Sequence, residues 1–296
     1  MAEGGWKGKS RGGKTGYSIF IYLIRHTGLF PAYCLLVFVA AYFVPASPSS
    51  TKDIWNYARK ILKYGRLRSA CFVYKSYYSF GQSIIDKFAI SSGLQDKYAY
   101  EFEGEDVLDE VFSSGKGAII LCAHFGNWAA GEGFFKAHKT RLNFVMFDNE
   151  HAEIKEVMEK NNDPDASFKI IPVNKDSLAH VFLITEAIDR GELVCFMGDR
   201  YVHDTKLLEH DFMGHEAKFP SGPFLLASKL GVPVLFYWSI REYGKRFKFK
   251  FTKADTVSSR RGGDMELLNQ YVASLEKEVR LHPEQWYNYY DFWNLR

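Results

Sequence analysis

The sequence has no CxxC pair, and its four cysteines, Cys34, Cys71, Cys122 and Cys195, are scattered along the chain. That spacing excludes a disulfide framework and a zinc site, and it points to a reducing compartment. Cys122 and Cys195 fall in apolar, strand-like runs, where a free thiol serves as a small hydrophobe. Charge of one sign is also scarce: 38 Lys and Arg stand against 35 Asp and Glu, a net charge of +3. No dense basic stripe for nucleic acid emerges from that balance. Internal repeats are absent, and so is the G-x-S-x-G elbow of serine hydrolases. Ser221 sits instead in "FPSGP", between Pro220 and Pro223, a rigid turn that disfavours it as a nucleophile.

What is abundant is apolar and aromatic. The hydrophobic fraction is 47% and the charged fraction 25%, enough for a sizeable core. Aromatic residues reach 17%. Two readings of that excess stay open: rings that favour a membrane–water interface, or an aromatic core.

The N-terminus carries the longest apolar stretch. Residues 1–16 are Gly-rich and basic and are expected to be disordered. Two apolar runs follow, flanking Arg25 and His26, and the second, from Leu29 to Val44, holds no charge. Its length lies near the lower limit for a spanning helix. We expect a membrane anchor, spanning or deeply embedded. A cleaved signal peptide is disfavoured by Arg25, which interrupts the apolar core, and a buried soluble helix is the remaining alternative. Lys7, Lys9, Arg11 and Lys14 precede the run and place the N-terminus on the cytoplasmic side.

"PSSTKD" at 48–53 marks a boundary, where Ser50 or Thr51 can cap a helix. The expected division is a basic N-terminus and anchor over 1–50 and one further domain over 51–296. Residues 52–93 are amphipathic, basic and aromatic. They suit either an anionic membrane surface or helices packed on a sheet with solvated charges.

From about residue 100, strand-like and helix-like segments alternate. "GAIILCAH", "LNFVMF", "FKIIPV", "ELVCFMGDR", "VPVLFYWSIRE" and "RFKFKFT" read as strands, and "SLAHVFLITEAIDRG", "PSGPFLLASKLG" and "DMELLNQYVASLEKEVRLHP" as helices. Further helices are read at "NWAAGEGFFKAH" and "EHAEIKEVMEKNN". This pattern predicts an α/β fold with a mainly parallel or mixed sheet covered by helices on both faces.

In such sheets, sites form at the carboxyl ends of strands. Two strands here end in polar residues. "CAHFGNW" supplies His124 and Asn127, and "CFMGDRYVHD" supplies Asp199, Arg200, His203 and Asp204. Ser221 and Gly222 open a helix whose free N–H groups suit an anion; an ordinary helix cap explains them equally.

These blocks together resemble the lysophospholipid acyltransferase superfamily, and within it the lipid A biosynthesis branch of lauroyl and myristoyl transferases. "GKGAIILCAHFGNW", "GELVCFMGDR", "FMGHEAKFPSGPFLLASKLGVPV" and "HPEQWYNYYDFW" carry the likeness, which covers nearly the whole chain. The resemblance implies acyl transfer from a thioester, on acyl carrier protein or coenzyme A, to a hydroxyl or amine of a membrane lipid. It implies no metal or other cofactor, and a location at the bacterial inner membrane with the catalytic domain on the cytoplasmic side. The family's base is the His of an H-x4-D/E motif, here His124. Four residues beyond it stands Ala129, so the expected acid is missing. Glu132, one helical turn further on, is the replacement expected first; Asp148, Asp199 or Asp204 from a neighbouring strand is the second possibility. The third is a catalytically degenerate member that acts as a lipid- or carrier-binding scaffold. Asn127, Asp199, Arg200, Ser221 and Gly222 are expected to line the substrate site. "VMFDNEH" lacks the Arg-bearing motif common in lipid A enzymes, so acceptors of the aryl-polyene and amino-acid-lipid type fit as well.

Overall fold

The structure, a computed structural model, describes residues 20, 22–24, 26–131, 135, 140–147, 168–173, 178–201, 205–257 and 262–295. The expected disorder of residues 1–16, the helix read at 150–162, and Glu132, Asp148, His203 and Asp204 fall outside them.

Seven strands form one mixed sheet: β1 (Ala99–Glu103), β2 (Ala118–Cys122), β3 (Leu142–Phe147), β4 (Phe168–Val173), β5 (Leu193–Met197), β8 (Val234–Glu242) and β9 (Arg246–Lys253). Their order is β1-β9-β8-β2-β5-β3-β4. The run from β8 to β4 is parallel throughout, and β9 turns back antiparallel on β8. The two strands left out, β6 (Leu207–Phe212) and β7 (His215–Pro220), pair as a separate antiparallel hairpin. The sequence reading missed this hairpin, because "LLEHDF" has no clean alternation of apolar and polar residues.

The central strands are continuous apolar runs. All five residues of β2 are buried, as are the first four of β5, which is what a parallel strand covered on both faces requires. β9 alternates instead: Phe247, Phe249 and Phe251 point inward, following the two-residue period of a strand.

Side chains on β2 split between two cores. Ile119 and Leu121 pack with Leu267 and Tyr271 on one face, while Ile120 and Cys122 pack with Leu36 and Phe249 on the other. Helices α6 (Ser221–Leu230) and α7 (Gly263–Leu281) cover the first face. The second is covered by α4 (Glu105–Ser113) and by the N-terminal layer, α1 (Leu29–Ala46) and α3 (Arg66–Ala89), joined by α2 (Pro48–Asn56), a layer whose Ala40, Ile54, Phe72 and Tyr77 also enter the first core. Helix α5 (Ala179–Asp189) precedes β5. The helix read at 127–138 opens with a 3-10 turn over Trp128–Gly131, and Phe135 is helical; residues 132–134 and 136–139 lie outside the described residues.

Helix α1 is 18 residues long with a mean hydropathy of 2.0, long and apolar enough to cross a membrane.

Candidate active site

The parallel register of β2 and β5 builds the centre of the site. Ala118 pairs with Leu193 and Cys122 with Met197, a constant offset of 75 residues. Continued by two residues, that offset sets His124 beside Asp199. The His124 Nδ1 lies 2.8 Å from Asp199 Oδ1. Between each strand and its polar residue stands one small residue, Ala123 or Gly198. Gly198 is required there: an added Cβ would come within 2.8 Å of the Tyr271 ring. Its amide donates to the Cys122 carbonyl (2.8 Å), which also accepts from the Tyr271 hydroxyl (2.9 Å).

Asp199 is fully buried and its carboxylate is saturated. The His124 amide donates to both oxygens at 3.1 and 3.0 Å, and the Trp286 indole Nε1 donates to Oδ2 at 3.0 Å. Burial alone would oppose ionisation. The His124 ring and its hydrogen bond, the Arg200 guanidinium and the Trp286 donor outweigh it and hold the carboxyl below the usual carboxylate range. An ionised Asp199 only accepts, so Nδ1 carries the proton and Nε2 is the nitrogen left for a substrate. The His124 side chain is 23% exposed.

The turn after His124 is locked to β8. Gly126 has φ 63°, and a Cβ there would sit 1.6 Å from the Ser239 carbonyl oxygen. The Asn127 amide donates to that carbonyl (3.2 Å), and the Ser239 hydroxyl donates back to the Asn127 carbonyl (2.7 Å). Buried Asn127 uses its side-chain Nδ2 on the Ser83 carbonyl of α3 at 3.1 Å, so these bonds serve the scaffold.

Three consecutive residues, Gln285, Trp286 and Tyr287, close the site. Gly126 donates its amide to the Gln285 carbonyl (2.8 Å), and the Gln285 side-chain amide pairs with both backbone groups of Arg241 (2.9 and 2.8 Å). The Tyr287 amide donates to the His124 carbonyl (2.8 Å), and Arg200 Nη2 donates to the Tyr287 carbonyl (3.1 Å). Below them Arg241 Nε meets the fully buried Asp86 at 2.6 Å, and Asp86 also accepts from the Tyr98 and Tyr33 hydroxyls. In the sequence, residues 282–293 stand out only as one of the blocks that carry the family likeness. Their role rests on backbone groups, the Gln285 side-chain amide and one indole N–H, whose partners lie far away in sequence.

The structure thus brings together His124, Asp199 and Arg200, three of the expected site residues. Ser221 is buried at the first position of α6, with its amide donating to the Lys206 carbonyl (2.9 Å), so that N–H is already used. Gly222 is exposed, with open space where a Cβ would stand. One turn into α6, Phe224 approaches Gly198 on the Asp199 strand end. Among the described residues no group of three or more His, Cys, Asp and Glu is placed to hold a metal ion.

The chain is similar in sequence to known proteins. Over 188 residues the chain is 26% identical to the phosphatidylinositol mannoside acyltransferase of Mycobacterium tuberculosis, covering 62% of the chain and 57% of the relative. With the protein of the same description from Mycolicibacterium smegmatis it shares 22% over 193 residues, 62% of the chain and 58% of the relative. The match therefore spans less than two thirds of these relatives' length. Residues 69–293 match the model of a family, and they contain the whole His124, Asp199 and Trp286 centre: the chain belongs to the bacterial lipid A biosynthesis acyltransferase family.

Proposed function

We propose that this protein is a membrane-associated acyltransferase that moves a fatty acyl group from a thioester carrier, acyl carrier protein or coenzyme A, to a hydroxyl or amine of a lipid acceptor. The observation that carries the proposal is the 2.8 Å contact between His124 Nδ1 and buried Asp199, taken with membership of the family.

The chemistry follows from that pair. Asp199 fixes the ring tautomer and stabilises the imidazolium once it forms. Nε2 takes the proton of the acceptor O–H or N–H as the acceptor atom attacks the thioester carbonyl carbon. The C–S bond then breaks, the new ester or amide bond remains, and the imidazolium returns its proton to the departing thiolate. Asp199 here does what the missing acid four residues beyond His124 would do. The scaffold reading rested on Ala129 in that place and loses its motive. Arg200, next to Asp199, is proposed to assist an anionic part of either substrate; Asn127, Ser221 and Gly222 are proposed as the wall of the cleft. Glu132 remains a proposed contributor to proton transfer near His124.

The named relatives are described as phosphatidylinositol mannoside acyltransferases, which supports a glycolipid or other polar-headed lipid as acceptor here; the proposed location is the bacterial inner membrane, on its cytoplasmic side. The test is an in vitro assay. Purified full-length protein is mixed with acyl carrier protein and coenzyme A thioesters and a total lipid extract, and products are read by mass spectrometry. New acylated lipid that disappears with His124→Ala supports the proposal. Product formation undiminished in that variant would sink it.

A further inference from the structure

Building on the membrane association proposed above, we infer that α1 lies in the plane of an anionic bilayer, sunk into one leaflet along its outward face, and does not cross it. The helix has two distinct faces. Leu29, Ala32, Leu36 and Ala40 are buried in a single seam against the body, the spacing of one helix face. Phe30, Cys34, Phe38, Ala41 and Tyr42 form the opposite face and are exposed. That outward face is apolar, with Phe30 78% and Phe38 73% exposed, and no charged residue occurs anywhere in the helix. An apolar face of this length calls for a covering other than water.

The seam decides the orientation of that covering. Leu36 packs on Gly81 of α3 so closely that a Cβ there would lie 2.2 Å from Leu36 Cδ1. Near one end Tyr33 donates to the buried Asp86 of α3, and near the other Thr51 donates to the Val44 carbonyl (2.7 Å) and contacts the Tyr77 hydroxyl (3.0 Å). α1 is therefore fixed lengthwise to α3. Were α1 to cross the bilayer, α3 would enter at the same depth with Lys75, Asp86 and Lys87, charges that hydrocarbon disfavours strongly. Lying flat keeps α3 on the aqueous side.

Charge selects the lipid. Residues 1–85 hold 12 Lys and Arg against two acids, Glu3 and Asp53, whereas residues 86–296 hold 26 against 33. The segment that carries α1 is basic and the body behind it is acidic, so an anionic surface attracts the first and repels the second.

A depth measurement tests this on the full-length chain. Single reporter thiols are placed at Phe30→Cys, the native Cys34, Phe38→Cys and Tyr42→Cys, with Cys71→Ser throughout and Cys34→Ser wherever another site is used; Cys122 and Cys195 are buried. A fluorophore on each is quenched by nitroxide lipids labelled near the headgroup or near the chain end, in vesicles of phosphatidylglycerol and phosphatidylethanolamine. The expected result is one shallow depth at all four positions, and binding roughly ten-fold or more weaker to vesicles of phosphatidylcholine alone. Deep quenching in the middle positions with shallow ends would show a crossing helix and overturn the inference. So would absent quenching together with a doubled mass by light scattering, which would put a second copy on the face. Equal binding to both vesicle types would overturn the choice of an anionic surface. The depth reading needs no turnover: an in-plane result from a protein that transfers no acyl group would reject the acyltransferase reading and leave this one standing.

Discussion

His124 and Asp199 occupy matching register positions on neighbouring parallel strands, each two residues beyond its strand's last paired residue. The pair therefore depends on the sheet itself and not on a flexible loop. Removing the proposed base, His124→Ala, is expected to abolish detectable turnover. Asp199→Asn keeps the shape but forces the wrong tautomer, and a loss of ~10⁴ in kcat with little change in KM is expected. Steady-state kinetics on both variants, with melting curves to confirm folding, check this.

Among the described residues, Trp286 is the side-chain donor to Asp199 Oδ2. Trp286→Phe keeps the aromatic packing against Phe212, Phe292 and Trp293 but removes that donor. A hydrogen bond to a charged group contributes roughly 1.5–3 kcal/mol, and part of that appears as lost activity. The expected outcome is a fall of about ten-fold in kcat, KM unchanged, and a lower unfolding midpoint in urea.

Asp199 has its carboxyl held below the ordinary range. A depressed folded-state value stabilises the protein at pH above the unfolded carboxylate value of about 3.9, and that contribution disappears as pH falls through the lower folded value. Thermal midpoints measured downward from pH 6 should therefore fall more steeply in the wild type than in Asp199→Asn below about pH 4. Parallel curves for the two proteins would contradict the assignment.

Two glycines near the site predict opposite outcomes. Gly126→Ala puts a Cβ 1.6 Å from the Ser239 oxygen at a positive φ, and a cost above ~3 kcal/mol is expected. Gly222→Ala meets no atom within 4 Å and lies inside α6, so a gain of roughly 0.5–1 kcal/mol is expected. Calorimetry of both reads the contrast. A rise in KM for Gly222→Ala without loss of stability would mark close substrate approach there.

The sheet, its helical cover and the two polar strand ends were all readable from apolar runs that stop at His124 and at Asp199. The pairing of the two was harder to see. An H-x4-D/E pattern is local, so the search for a partner ran along the chain to Glu132, which lies outside the described residues. The observed partner is set by register between strands, a tertiary property. A trace of it existed in the sequence: "AIILCAH" and "LVCFMGD" are runs of equal length with a small residue before the polar one. The hairpin of β6 and β7 and the bonds made by the Gln285 carbonyl and the Tyr287 amide left no such trace, because backbone groups make them and every residue type has those.

The closing tripeptide also has a consequence for how the protein reaches its working state. Asp199 joins the site across 75 residues of chain and Trp286 across a further 87. Contacts so distant in sequence form late, since each must first overcome the entropy of closing a long loop. During refolding, helical signal should return first, and enzymatic activity only in the slow phase that seats Trp286.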